Sequence, residues 1–112
     1  LERLVGYGKA HEMIMTGDMV PADEAHRIGL VNHVVAPENL RETVVSMAQR
    51  IGSKSSHALR VGKEVVRSAL DESLTDGVTT EAAAFAGLFD SEDKEIGVQA
   101  FINRETPQWK HK

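Results

Sequence analysis

The sequence predicts a mainly α-helical chain with one short strand. Three observations support this fold class. Apolar residues recur at helical spacing through most of the 112 residues. Serine or proline residues stand just ahead of these periodic stretches, where helices begin. Apolar β-branched residues dominate only one short run, residues 30–35, which is therefore the single strand candidate.

Two helices are predicted in the first thirty residues. Ala10 and Ile14 lie on one helical face, and Gly17 can adopt the left-handed conformation that ends a helix. Pro21 then opens a short helix over residues 22–27, since proline suits a first helical turn. Gly29 closes this helix and leads directly into the predicted strand.

Helices follow one another through the remainder of the chain. Pro37 can begin a helix and Gly52 can end it. The apolar face of that helix carries Leu40, Val44, Met47, Ala48 and Ile51. Three more helices are expected after serine caps.

The serine caps divide the carboxyl-terminal part into three segments. Ser55 or Ser56 caps the first, Ser73 the second and Ser91 the third. We expect Pro107 to stop the last helix, because proline cannot continue one.

Composition excludes several classes of protein. The chain has no cysteine, so disulfides, thiolate metal sites and a cysteine nucleophile are ruled out. A formal net charge of -4 and few aromatic residues give no general attraction for nucleic acid. No apolar run approaches the roughly 20 residues that a membrane span needs. We therefore expect a soluble, cytoplasmic protein that binds neither nucleic acid nor membrane.

Three stretches of the sequence resemble a known family when they are taken in order. They are TGDMVPADEAHRIGLVNHVV (residues 16–35), AQRIGSKSSHALRVGKEVV (residues 48–66) and AFINRETPQWK (residues 100–110). Together they resemble the carboxyl-terminal half of the enoyl-CoA hydratase/isomerase, or crotonase, family. The resemblance implies the carboxyl-terminal helical portion of the α/β crotonase fold. Residues 1–52 would form the end of its core, and residues 53–112 a helical oligomerisation segment.

The resemblance also implies a chemistry. Members of the family act on acyl-CoA thioesters, and the parent reaction expected here is reversible hydration of a 2-enoyl-CoA, with isomerisation or other acyl-CoA chemistry as an alternative. The family's two catalytic glutamates and its oxyanion donors precede the position that matches Leu1. We therefore expect no catalytic residue in this chain, no activity of the chain alone and no cofactor, because coenzyme A enters as part of the substrate.

Assembly is a further implication of the resemblance. The last helices of the family mediate formation of a trimer, or of a dimer of trimers, so a homo-oligomer is expected here. A function of a different class stays open beside the enzymatic one. It is a non-catalytic helical oligomerisation module from a truncated crotonase-like protein.

Phe101 and Arg104 are the candidate binding residues. In relatives the matching segment lies near the mouth of the active site, where an aromatic side chain contacts the acyl-CoA and a basic side chain meets its phosphates. The resemblance therefore assigns Phe101 and Arg104 to coenzyme A binding. Arginine suits a phosphate partner because its guanidinium donates several hydrogen bonds. The alternative is that Phe101 packs and Arg104 is a surface charge.

Other chemical sites are poorly supported by the sequence. The five histidines show neither an HExxH motif nor another compact ligand spacing, so no metal site is predicted. Ser55 and Ser56 precede His57, but adjacent residues at a helix start seldom align as nucleophile and base. Helix capping is the simpler role for these serines.

Overall fold

The structure is a computed structural model that describes residues 1–112, and it is built of α-helices without any β-strand. The helices are α1 (Glu2–Val5), α2 (Tyr7–Thr16), α3 (Ala22–Arg27), α4 (Leu40–Gly52), α5 (Ser56–Ser68), α6 (Leu74–Leu88) and α7 (Glu92–Asn103). A single 3-10 turn, Pro37–Asn39, precedes α4. The predicted helical fold class is confirmed.

The chain divides into two compact units, Leu1–Val45 and Ser46–Lys112. The division falls inside α4, so this helix contributes its first turns to one unit and the rest to the other. The roles assigned above to residues 1–52 and 53–112 stay predictions.

Glycines end the helices of the first unit as the sequence predicts. Gly17 adopts a left-handed conformation with φ 69° directly after α2. Gly29 has φ 77° after α3, and a Cβ at that position would lie 3.6 Å from the Leu4 carbonyl oxygen. Lys9 of α2 approaches Glu24 of α3 to 3.9 Å.

The predicted strand over residues 30–35 is wrong. The amide groups of Leu30 and Val31 donate to the carbonyl of Ala25, at 2.8 and 3.3 Å, which completes the end of α3. The rest of the run has no regular secondary structure. A strand exists only where a second strand supplies the partner hydrogen bonds, and the chain contains no second strand.

Serine caps begin the three helices of the second unit. The hydroxyl of Ser55 accepts a hydrogen bond from the Ala58 amide, and Ser73 and Ser91 accept from the amides of the residues three positions on. Each cap satisfies one of the amide groups that a helix start leaves without a partner. The predicted capping pattern is confirmed, and Ser55 is the cap of α5.

Helix α7 ends at Asn103, and not at Pro107 as predicted. Arg104 adopts a left-handed conformation with φ 57°. The Glu105 amide donates to the Ala100 carbonyl at 2.8 Å, and the Arg104 amide donates to the Phe101 carbonyl at 3.3 Å. These two bonds form a Schellman ending, which turns the backbone away from the helix before proline is reached. Residues 105–112 therefore leave α7 as a separate terminal segment.

The buried apolar interior is small. The only buried hydrophobic residues are Ala10, Ala25 and Ala100. Large apolar side chains stay exposed on every long helix, among them Ile51 of α4, exposed by 52%, and Phe85 of α6, exposed by 62%. No helix has the length and apolar character needed to span a membrane.

Candidate functional site

Phe101 lies on an apolar cleft of the second unit. The cleft has a volume of about 480 Å³, and its aromatic lining comes from Phe85, Phe89, Phe101 and Trp109. The Phe101 side chain is 86% exposed, so most of its ring is available for contact. The structure therefore places the first predicted binding residue beside a cavity of a size that suits small molecules.

The wall contributed by α6 has a defined aromatic geometry. Phe85 and Phe89 lie one helical turn apart, with ring centroids separated by 5.1 Å and planes inclined by 72°. This edge-to-face arrangement is a favourable one for aromatic pairs. The Lys94 ammonium lies 5.6 Å from the centroid of the Phe89 ring, within cation-π range.

Two cations border the cleft. Lys54, which precedes α5, and Lys94, in the first turn of α7, both contribute to its lining. Lys94 also contacts Glu95 at 3.4 Å. An apolar cleft bordered by ammonium groups can hold an apolar chain that carries a negative group at one end.

Arg104 lies outside the lining of this cleft. It is exposed and directly follows the helix that carries Phe101. The Arg104 amide donates a hydrogen bond to the Phe101 carbonyl at the end of α7. Of the two predicted residues, only Phe101 lines the cavity. Their predicted role in coenzyme A binding stays a prediction.

Asp93 is a buried carboxylate that no sequence motif indicated. Only 3% of this residue is exposed. One carboxylate oxygen accepts from the Lys110 amide at 2.7 Å and from the His111 amide at 3.0 Å. The other accepts from the Ser55 hydroxyl at 2.5 Å and from the same His111 amide at 3.0 Å. Asp93 thus connects the start of α5, the start of α7 and the end of the chain.

These hydrogen bonds determine the ionisation of Asp93. Burial alone would raise the pKa of its carboxyl group, because the charged form loses contact with water. The hydrogen bonds from Ser55 and from the Lys110 and His111 amides stabilise the charged form, and they hold the pKa of Asp93 below its ordinary value. Asp93 is therefore an ionised structural group at neutral pH and is unsuited to act as a general acid.

Trp109 packs closely on α7. A Cβ added at Gly97 would lie 3.1 and 3.2 Å from two carbons of the Trp109 ring, closer than side chains ordinarily approach. The indole nitrogen donates to the Ser53 carbonyl at 2.7 Å. Glycine at position 97 thus gives the ring the space to form one wall of the cleft.

Two acidic residues of the first unit, Glu24 and Glu12, are held in ion pairs. The Glu24 carboxylate accepts two hydrogen bonds from the Arg27 guanidinium, at 2.6 and 2.7 Å. The hydrogen bond to Arg27 is the main reason why the pKa of Glu24 is lowered. Glu12 is likewise paired with Lys9, at 2.8 Å. No group of three or more histidine, aspartate or glutamate side chains is arranged to hold a metal ion.

Sequence patterns contain only weak signals for the missed residues. Gly97 stands inside a predicted helix, where glycine often marks a close approach. The same signal occurs at Gly62 and Gly87, where nothing lies within 4 Å of the added carbon. Asp93 carries no local signal, because its Ser55 partner is 38 positions away.

Comparisons with known proteins support the resemblance in the sequence. Residues 1–112 match the profile of the enoyl-CoA hydratase/isomerase family. The chain is 40% identical over 112 residues to a probable enoyl-CoA hydratase of Rhizobium meliloti, covering 100% of this chain and 44% of that protein. It is 40% identical over 104 residues to a crotonyl-CoA hydratase of Syntrophomonas wolfei, covering 93% of this chain and 40% of that protein.

Solved structures agree with these matches. The crystal structure of enoyl-CoA hydratase from Bacillus anthracis superposes with a TM-score of 0.94 at 35% identity, covering 99% of this chain and 43% of that one. A crystal structure of enoyl-CoA hydratase subunit I from Geobacillus kaustophilus gives a TM-score of 0.90 at 38% identity and the same coverage of both chains. This chain spans less than half the length of these relatives. It belongs to the enoyl-CoA hydratase/isomerase family.

Proposed function

We propose that this chain is the carboxyl-terminal helical part of an enzyme that acts on acyl-CoA thioesters, and that the parent reaction is reversible hydration of a 2-enoyl-CoA. The observation that carries this proposal is the match of the whole chain to enoyl-CoA hydratases, at up to 40% identity over all 112 residues. The chain covers 44% of the Rhizobium meliloti protein and 43% of the Bacillus anthracis enzyme, which leaves room for a catalytic part elsewhere in the parent protein.

In this proposal the chain contributes binding and assembly, and the parent's other half contributes chemistry. The family's oxyanion donors stabilise charge that develops on the thioester oxygen, and its two glutamates act on the attacking water. In this proposal Glu24 and Asp93 fill neither role, because their carboxylates are already engaged in hydrogen bonds within the chain. The 112-residue chain alone should therefore give no enzyme-like turnover of crotonyl-CoA, and turnover above a host-extract control would contradict this.

A chimera tests the main proposal directly. The segment of the Bacillus anthracis enzyme that matches this chain would be replaced by residues 1–112. We expect the chimera to hydrate crotonyl-CoA, because the two backbones superpose with a TM-score of 0.94. A chimera that shows native-like circular dichroism and binds no acyl-CoA would overturn the proposal.

Phe101 and Arg104 are proposed to cover the bound coenzyme A in the parent. The exposed ring of Phe101 supports this role, as does the exposed position of Arg104 one turn further along the chain. In the active chimera, Arg104→Ala should raise KM and leave kcat nearly unchanged, because a phosphate is held similarly in the ground and transition states. Arg104→Lys, which keeps the positive charge, should raise KM less than Arg104→Ala does.

Two controls separate a phosphate contact from a structural effect. A pantetheine thioester has no nucleotide, so Arg104→Ala should affect its hydration little. Arg41→Ala, which removes another exposed arginine, should change neither substrate's KM. If Arg104→Ala raises KM equally for both substrates, Arg104 acts through packing or assembly.

The second candidate function is a non-catalytic oligomerisation module, and exposed apolar surface supports the self-association that it requires. The buried hydrophobic residues are three alanines, while Ile51, Phe85 and Phe89 are each more than half exposed. Apolar surface on this scale ordinarily lies against other protein. In both candidate functions we propose self-association, with a trimer or a dimer of trimers as the expected assembly.

Light scattering of the purified chain distinguishes these assemblies. Trimers at micromolar concentration, combined with an inactive chimera, would support the oligomerisation module. A strict monomer with a cooperative thermal transition would contradict self-association.

A further inference from the structure

We propose that Asp93 is the anchor of a terminal strap, residues 105–112, and that this anchor holds Trp109 in place as a wall of the apolar cleft. The strap is defined at one end by the Schellman ending of α7 and at the other by Lys112. The anchoring role of Asp93 does not depend on the reaction that the parent catalyses.

Hydrogen bonds tie the strap to Asp93 in both directions. The Asp93 carboxylate accepts from the amides of Lys110 and His111, and the Asp93 amide donates to the Lys112 carbonyl at 3.2 Å. Three consecutive residues of the strap thus hydrogen-bond to the single residue Asp93, two of them to its side chain. Since that side chain is almost fully buried, its charge depends on these partners.

A second set of contacts joins the strap to the start of α5. The Ser56 amide donates to the Nδ1 atom of His111 at 3.1 Å, and the Trp109 indole donates to the Ser53 carbonyl at 2.7 Å. His111 itself has a left-handed backbone with φ 64°. Hydrogen bonds hold both the ring and the backbone amide of His111 in this arrangement. The strap therefore has one defined path across this part of the second unit.

The outer face of the strap carries ion pairs of a different kind. Lys110 and Lys112 contact opposite oxygens of Glu92, at 2.9 and 3.1 Å. All three side chains are largely exposed, so water and salt weaken their attraction. Because Asp93 is shielded from solvent and Glu92 is not, Asp93 is the group on which docking of the strap depends.

The position of Trp109 allows docking of the strap to be measured. Trp109 is the only tryptophan of the chain, so its fluorescence reports on the strap alone. It lines the cleft and contacts α7 at Gly97. Release of the strap should move the indole into water, which shifts its emission to longer wavelength and increases quenching by acrylamide.

The experiment compares Asp93→Asn with Asp76→Asn in the 112-residue chain. Asp76 is the matched control, because it also accepts a hydrogen bond from a capping serine, at 2.6 Å, but it is exposed and does not contact the strap. We expect the acrylamide quenching constant of Asp93→Asn to rise toward that of a free peptide of residues 105–112. The constant of Asp76→Asn should stay at the wild-type value.

A second variant leaves the helices untouched. A chain that ends after Trp109 lacks both backbone donors to Asp93 and keeps the fluorophore, so it should show the same rise in quenching. Circular dichroism of each variant reports whether α5 and α7 remain folded. Wild-type quenching in both Asp93→Asn and the shortened chain would overturn the proposal, as would an equal rise in Asp76→Asn.

Discussion

Helices α5 and α6 begin with the same local chemistry and differ in what lies beyond it. Ser55 and Ser73 each accept a backbone amide hydrogen bond at 3.2 Å from the residue three positions on. Each hydroxyl also donates to an aspartate, Ser55 to Asp93 at 2.5 Å and Ser73 to Asp76 at 2.6 Å. Asp76 is local and exposed, whereas Asp93 comes from another helix and is buried.

The comparison shows that a capping motif determines where a helix begins but not how much the capping contacts stabilise the protein. Removal of an exposed carboxylate returns its partners to water, which solvates them. Removal of a buried carboxylate leaves its partners unpaired in a site that water enters poorly. The start of α5 should therefore be much more sensitive to substitution than the start of α6.

The largest expected effect is that of Asp93→Ala. This change leaves the Ser55 hydroxyl and the Lys110 and His111 amides without their acceptor. Asp76→Ala, the matched change at α6, should cost no more than about 1 kcal/mol, as is usual for an exposed acidic residue in a first helical turn. Thermal unfolding followed by circular dichroism should show a clearly greater loss for Asp93→Ala. Equal losses would show that the two helix starts are equivalent.

A smaller effect is expected from Gly97→Ala. The added methyl group would press against the Trp109 ring, and overpacking of this kind typically costs about 1–3 kcal/mol, offset in part by the gain of up to about 1 kcal/mol that alanine brings inside a helix. Gly87→Ala is the control in α6, where nothing lies within 4 Å and alanine should stabilise the helix by up to about 1 kcal/mol. Urea unfolding of both variants gives the two free energies of unfolding. Stabilisation by both substitutions would mean that Trp109 does not pack on Gly97.

The next effect in size is expected from substitution of the capping serines, whose losses of stability should differ. Ser73→Ala removes a cap and should cost about 1 kcal/mol. Ser55→Ala removes a capping hydrogen bond of the same length and also a hydrogen-bond donor to the buried Asp93 carboxylate. We therefore expect a greater loss of stability than for Ser73→Ala. A double-mutant cycle of Ser55→Ala with Asp93→Ala should show clear coupling, since the two side chains share a hydrogen bond. Strict additivity would argue against a direct interaction.

The smallest expected effect is the pH dependence of the stability that Asp93 provides. Because the folded pKa of Asp93 is lowered, its stabilising contribution is fully present above the ordinary aspartate pKa of about 3.9 and is lost as the pH falls through the lower folded value. The difference in stability between wild type and Asp93→Asn should thus stay constant from pH 7 to about pH 5 and shrink at lower pH.

Several charged groups lie near Asp93 in both proteins, so the difference removes whatever they contribute independently of Asp93. They are Glu92 and Lys94 on α7, and Lys110, His111 and Lys112 on the strap. A stability difference that grows as the pH falls would contradict a lowered pKa of Asp93.

Local rules predicted most of the helix starts and stops. Gly17, Pro21, Ser55 and Ser73 occupy their expected positions, because caps act on residues within one turn. Residues 30–35 failed as a strand for the opposite reason, since strand formation depends on a partner elsewhere in the chain. The four-residue helix α1 was not predicted, as it is too short to show a period.

The site was less predictable than the fold. Phe101 was identified through its resemblance to a family, and the structure places it on the cleft. The pairing of Ser55 with Asp93 and the path of the strap could not be deduced, because they join positions far apart in sequence. Asp93 looked like an ordinary acidic residue in a first helical turn, and only burial distinguishes it from Asp76.

Amide hydrogen exchange of residues 105–112, measured by NMR, tests the role of Asp93 most directly. The Lys110 and His111 amides donate to its carboxylate, whereas the structure gives the Thr106 and Gln108 amides no acceptor. We predict slow exchange at Lys110 and His111, fast exchange at Thr106 and Gln108, and loss of this contrast in Asp93→Ala. Fast exchange at Lys110 and His111 in the wild-type chain would contradict the anchored strap.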